Sequence, residues 1–393
     1  MKKLIALLLV LAMALSLVAC GGSEAGEAGA SEYRIAMVTD YGDITDQSFN
    51  QTTWEACLAF GEESGLDVKY YKPGTNDTAG RVASVELAIA EGYNVIVMPG
   101  YAFGYTIAEV SGNYPDIKFI GLDVSKGDLL EGGVALKGES YDYNPDNWNL
   151  TDYVYMDNVY CAIYKEELSG YMAGYAAVKL GYTNLGFLGG MAVPAVIRFG
   201  YGFVQGADAA AAELGTTVNM KYAYGNQFYG DADITAVMDT WYAGGTQAVF
   251  ACGGGIYNSA AEAAKKVGAK VIGVDSDQQP VIDGLYGEGM TITSAMKGLR
   301  PTTIDTLRDV CLNNNWEKYA GQIANLGLVS GDDASLNYVQ LSETTQFEDG
   351  KFSAEDYAAL VKAMFDGTIV VSNDINAEPA VTASNVEYLG NLK

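Results

Sequence analysis

The chain has no histidine among its 393 residues. That absence removes the usual general base and the commonest metal ligand together. Positive charge is scarce as well: 23 lysines and arginines stand against 49 aspartates and glutamates, a formal balance of -26. A surface of that sign repels phosphate backbones and anionic head groups, which argues against nucleic acid as a partner. The cysteines Cys57, Cys161, Cys252 and Cys311 follow no zinc spacing and no compact disulfide scaffold. Cys57 and Cys252 fall in apolar patterns and read as small core residues. The run Gly253-Gly254-Gly255 is not followed by GK[ST], and GxGxxG is missing, so a phosphate cradle is poorly supported. No metal and no cofactor is expected.

Long apolar runs are lacking too, with one exception. Leu4 to Val18 follows Met1-Lys2-Lys3 and ends in Leu17-Val18-Ala19-Cys20, then Gly21-Gly22. At about fifteen residues the run has the length of a signal-peptide apolar region and is short for a membrane span. Residues 1–19 are therefore expected to be a lipoprotein signal peptide, with Cys20 acylated as the first mature residue. Residues 20–32, rich in Gly, Ser, Glu and Ala, read as a flexible tether holding the body at the outer face of a membrane.

From residue 33 onward, short apolar runs alternate with helical stretches. Strands are expected at 34–38, 67–71, 94–100 and 117–123, with helices between them. A polar zone over 126–158, rich in Tyr, Asp, Asn and Gly, reads as irregular. The alternation resumes with a helix from Glu166 and strands at 185–190, near 217–223, at 247–253, 270–275 and 290–296. Continuous apolar strands separated by helices indicate parallel sheets covered on both faces. Two such series predict an α/β protein of two Rossmann-like lobes. Lobe one is expected over 33–155 plus about 293–325, and lobe two over 156–292 plus about 326–393.

Ligands of open α/β sheets bind beyond the carboxyl ends of the strands. Here those ends deliver Asp40, Asp43 and Asp46 with Phe49 and Asn50; then Asp123; then Tyr224 to Phe228; then Gly254; then Asp275; and finally Lys297. Phe49 sits about 140° around its helix from Trp54, off the stripe that carries Trp54, Cys57 and Leu58, so a place in the cleft competes with a place in the core. Asp275 has an alternative role as a helix cap, and Lys297 as an ordinary surface lysine. A cleft of carboxylates, aromatics, glycines and one lysine suits a neutral polar ligand with a flat apolar part.

Five segments carry a resemblance: DYGDITDQSFNQTTWE (40–55), EELSGYMAGYAA (166–177), LGFLGGMAVPAVIRFGYGFVQGA (185–207), VIGVDSDQ (271–278) and TSAMKG (293–298). In order and spacing they resemble the basic membrane protein family, the purine-nucleoside receptors of bacterial ABC importers. The resemblance implies a type I periplasmic-binding-protein fold with the ligand in the interlobe cleft. It also implies a permease and an ATPase as partners; the protein itself is expected to be a monomer. By position, Phe49 and an aromatic of YGNQFYG, Phe228 ahead of Tyr224, would sandwich the base, with Asp40 and Asp123 near it; Asn50 is a further expected ligand-binding residue. Asp275, Lys297 and a backbone group of Gly254 would hold the ribose. The chain departs from the family pattern at Tyr41 and in the NQFYGD segment.

Two other readings compete. Asp40, Asp43 and Asp46 form a carboxylate cluster of the kind that activates water in calcium-dependent nucleoside hydrolases. A binding lipoprotein or sensor for a sugar or modified nucleoside would share the cleft but not the importer.

Overall fold

The computed structural model describes residues 33–393. The expected signal peptide, Cys20 and the tether lie outside the described residues. The first series runs β1 (Ile35–Val38), α1 (Phe49–Ser64), β2 (Val68–Tyr71), α2 (Thr78–Ala90), β3 (Val95–Pro99), α3 (Phe103–Val110), β4 (Lys118–Leu122), α4 (Lys126–Leu136) and β5 (Val159–Tyr164). The second runs α5 (Glu166–Lys179), β6 (Asn184–Gly189), α6 (Pro194–Leu214), β7 (Val218–Tyr224), α7 (Ala232–Ala243), β8 (Ala248–Cys252), α8 (Tyr257–Val267), β9 (Lys270–Asp275), α9 (Gln279–Tyr286) and β10 (Thr291–Lys297). Then come α10 (Leu299–Cys311), β11 (Ile323–Leu326), β12 (Val339–Leu341), α11 (Ala354–Phe365) and β13 (Ser384–Asn391).

The strands make two sheets. One has the order β11-β5-β4-β3-β1-β2 and is parallel throughout. The other has the order β12-β10-β9-β8-β6-β7-β13, parallel except for the β10–β12 pair. Alternation along each strand feeds two cores per sheet. Ile35 and Met37 pack with Cys57 and Phe60 of α1 and Leu307 and Val310 of α10. Ala36 and Val38 point the other way, to Val85 of α2 and Ile107 of α3. Burying each large apolar side chain contributes roughly 1.5–3 kcal/mol, so neither face of the sheet can be left uncovered. The four described cysteines are buried and free.

Three expectations are corrected. The lobe boundaries move, because β5 pairs with β4 in the first sheet and β10 pairs with β9 in the second. Lobe one therefore runs through Tyr164 rather than 155 and resumes after Lys297 rather than at about 293. The stretch expected to be irregular begins with a helix, α4, started by a capping box between Ser125 and Asp128 and burying Leu129, Leu130 and Val134. On α1 the buried stripe is Thr53, Ala56, Cys57 and Phe60, while Leu58 is exposed.

The chain crosses between the lobes three times, and the crossings are tied together. Lys165 N donates to Leu326 O at 2.8 Å, Gly298 N to Tyr338 O at 2.7 Å, and Tyr338 N to Gly327 O at 3.0 Å. Beside this hinge, α5 and α6 touch backbone to backbone. A Cβ on Gly170 or Gly174 would overlap the carbonyls of Phe199 or Phe203, and one on Gly202 or Gly206 those of Glu167 or Tyr171. Only glycine permits that approach. It brings the first turns of both helices, with Glu166 and Arg198, to the cleft end of the hinge.

Candidate functional site

The strand ends of both lobes converge on a cavity of about 400 Å³. All eight residues expected from the sequence, Asp40, Phe49, Asn50, Asp123, Phe228, Gly254, Asp275 and Lys297, line it. How each is held follows from local chemistry.

At the rim, the loop after β1 is organised by its own backbone. Asp40 Oδ1 accepts from Tyr41 N at 2.6 Å and Gly42 N at 2.7 Å. Asp46 accepts from Ser48 N, Asn50 N and Gln51 N at 2.9, 2.9 and 3.0 Å, taking up the unpaired amides at the start of α1. Asp43 pairs with Lys72 at 2.9 Å. Turn formation and helix capping thus occupy the cluster that suggested water activation. Loss of water pushes the Asp40 and Asp46 carboxyls upward, with the amide hydrogen bonds opposing.

Because Asp46 caps the helix, the Ser48 hydroxyl is free to cross the cleft. Its Oγ donates to Asp275 Oδ2 at 2.6 Å. Asp275 and Asp123 end strands of opposite lobes, and both take left-handed backbone, φ 67° and 57°. Non-glycine residues there are strained and commonest at functional sites. The N-cap position of α9 is Gln278, and the amide of Gln279 donates to Asp277 Oδ1 at 3.1 Å, so Asp275 is not spent on capping.

Lys297 is buried, not a surface lysine, with its side chain 4% exposed. Its ammonium pairs with Asp123, lies 3.5 Å from Asp275 and 3.8 Å from Glu166, and sits 4.6 Å over the Phe49 ring. The sequence reading separated Asp123, near the base, from Lys297, near the sugar; the structure joins them in an ion pair. Burial raises the Asp123 carboxyl to about 7; Lys297 opposes this, and the charges of Glu166 and Asp275 add to it. The three carboxylates hold Lys297 protonated well above the ordinary lysine range, despite its burial.

Phe228 lines the cavity with its ring lying on Gly190 and Gly253, where a Cβ would strike it. Tyr224 instead packs in the lobe-two core and shares a hydrogen bond with Tyr222 at 3.0 Å. Of Phe228 and Tyr224, Phe228 is therefore the one that lines the cavity, with its neighbour Tyr229.

Sequence reasoning missed Glu166 and Arg198. Arg198 Nε donates to the fully buried Glu166 at 2.6 Å. Paired acids at a helix start read as a solvated first turn. The signal was available in the glycines at 170, 174, 202 and 206, whose spacing forces two helices together.

Residues 34–352 match the family model described as ABC transporter substrate-binding protein PnrA-like. The chain belongs to this family. Relatives of the PnrA-like family include the ABC transporter nucleoside-binding protein BmpA of Lactococcus lactis, 27% identical over 71% of this chain and 75% of that one. Basic membrane protein B of Borreliella afzelii is 26% identical over 84% and 87%. The fold matches an ABC transporter solute-binding protein from Conexibacter woesei, with a TM-score of 0.63 at 20% identity over 87% and 99%. As a PnrA-like substrate-binding protein, this chain takes a small-molecule ligand and works with a transporter. Among the described residues, no helix is long and apolar enough to cross a membrane.

Proposed function

We propose that this protein captures a purine nucleoside in the cleft and delivers it to a permease and ATPase in the membrane, held at the outer face by acyl chains on Cys20. The observation that carries the reading is one cavity lined by Phe49 and Phe228 and, beside them, by the Asp275–Lys297 pair. Aromatic faces take a flat base, each stacked base contributing about 1–3 kcal/mol. A carboxylate that accepts from two vicinal hydroxyls, beside an ammonium that donates to the same oxygens, suits a ribose. A relative named for nucleoside binding supports the same ligand class.

Calorimetric titration with ribonucleosides, the matching 2′-deoxynucleosides, free bases and ribose tests this. Ribonucleosides are expected to bind most tightly. Asp275→Ala should weaken them by about 2 kcal/mol, the loss of a charged hydrogen-bonding partner. Folded protein that binds no nucleoside, or an Asp275→Ala variant of unchanged affinity, would contradict the reading.

A further inference from the structure

The two lobes also meet through groups outside the cavity. Gln47 O, in the loop of lobe one ahead of α1, accepts from two side chains of lobe two: Gln278 Nε2 at 3.1 Å and Ser276 Oγ at 3.3 Å. Gln47, Ser276 and Gln278 do not line the cavity, although Asp46 and Asp275 beside them do. Ser48 crosses as well, but it ends on Asp275, which the nucleoside reading gives to the sugar. The Gln47 carbonyl is thus a contact between lobes that stands apart from the grip on a ligand.

Both sides of the contact are held in place. Gln47 takes left-handed backbone, φ 56°, which a non-glycine residue keeps only where its surroundings impose it. Its amide donates to Gln51 Oε1 of α1 at 3.0 Å, fixing the turn from within lobe one. On the other side, Gln278 is fully buried. Its Oε1 accepts from Val274 N of β9 at 3.0 Å, and its own N donates to Ser294 Oγ of β10 at 3.1 Å. Nε2 also reaches Gly254 O, just past β8, at 3.4 Å. Three strands of lobe two therefore orient this amide and leave one N–H for the other lobe. A buried N–H without an acceptor is costly, so the lobes can part only if water replaces Gln47 O.

We propose that Gln278 is a positioning residue that latches lobe two onto the Gln47 carbonyl, with Ser276 as its second donor, and so holds the cleft closed around a ligand it does not touch. A contact made only when the lobes are together favours every closed complex by the same amount. It slows the release of all ligands by one factor and leaves the preference among them unchanged. A residue that grips the ligand acts differently, because its loss weakens only those ligands that carry the matching group.

The test measures association and dissociation rates of inosine and 2′-deoxyinosine with purified wild type, Gln278→Glu and Ser276→Ala. In Gln278→Glu a carboxyl of the same shape still accepts from Val274 N, but it donates to Gln47 O only when protonated. Closure then requires a proton that the open form holds less firmly, so the closed complex is lost as pH rises. The carboxyls of the cavity are common to both proteins, and the quantity compared is the ratio of variant to wild type at each pH. At pH 8 both nucleosides should leave Gln278→Glu about tenfold or more faster than the wild type, shrinking to about threefold or less at pH 5. Ser276→Ala should speed release of both by about two- to threefold at either pH. The ratio of inosine to 2′-deoxyinosine affinity should keep its wild-type value in both variants. Release from Gln278→Glu at the wild-type rate at pH 8, or a defect no smaller at pH 5, overturns the latch. A collapse of the inosine to 2′-deoxyinosine ratio also overturns it, since Gln278 would then serve Asp275 rather than the other lobe. If Gln278→Glu does not fold, Ser276→Ala decides, and unchanged release overturns the proposal. The rate measurements rest on the nucleoside reading above, and wild-type protein that binds neither nucleoside ends that reading alone. Small-angle scattering then decides the latch: Gln278→Glu should be more extended than the wild type at pH 8 and match it at pH 5, and equal dimensions at both overturn it.

Discussion

Asp46 at the rim of the cleft and Asp123 at its hinge end are carboxyls of one cavity, and loss of water pushes both above the ordinary range. They differ in what compensates. Asp46 is surrounded by three backbone amides at the start of α1, so its charge completes a helix terminus. Asp123 is answered by Lys297, which also serves Asp275 and Glu166. An acid satisfied by fixed amides has a structural task and nothing left to offer. An acid sharing one cation with two others keeps unfilled bonding capacity, and that capacity is what a ligand can use.

The largest expected effect comes from removing the shared cation. Lys297→Met leaves three carboxylates of the hinge end without their common partner. Breaking a buried pair on one side typically costs about 3–5 kcal/mol, because the remaining charge is uncompensated. Urea unfolding should report a loss of that size at pH 8 and a smaller one at pH 5, where the orphaned acids can take up protons. A loss as small as the rim variant below, or one independent of pH, would erase the distinction between the clusters.

The rim should behave as a helix cap. Asp46→Ala leaves amide donors of α1 unpaired and should lower stability by about 1 kcal/mol, with a ceiling near 2 kcal/mol for a strong cap. Nucleoside affinity, measured where both proteins are folded, should change little. A large affinity loss without a stability loss would move Asp46 into the ligand grip.

The contrast also explains what the sequence disclosed. Strands such as VIVMP and KVIGVD were legible because continuous apolar residues feed cores on both faces. Strand-end logic then placed Asp40, Asp123, Asp275 and Lys297 around one cavity, since a parallel sheet aims every such end the same way. α4 was hidden because Gly127, Gly132 and Gly133 dilute its apolar stripe, and Gly132 and Gly133 are needed where Tyr105 and Tyr153 press against the helix. The lobe assignment of β5 and β10 was not legible either. Periodicity reports a strand's own pattern, whereas its sheet is decided by partners far along the chain. Glu166 and Arg198 escaped for a related reason: their meeting depends on the approach of two helices.

The smallest effect concerns the proton on Asp123. Its carboxyl is raised to about 7 in the folded protein, chiefly by burial, against an ordinary value of 3.8. A raised folded-state value means that the native protein holds this proton more firmly than the unfolded chain does. Stability from this group is then fully present below the unfolded value and is lost as pH rises through about 7. Asp123→Asn keeps the shape and cannot titrate. The melting temperature of the wild type should therefore fall relative to Asp123→Asn between pH 5 and pH 8, by a few degrees at most. The same comparison at Asp43, which Lys72 holds below the ordinary carboxylate range, has the opposite sign and lies at lower pH. A wild-type melting temperature that keeps a constant offset from Asp123→Asn over that range would mean that Lys297 keeps Asp123 ionised throughout. The hinge cluster would then meet its ligand with a carboxylate always charged.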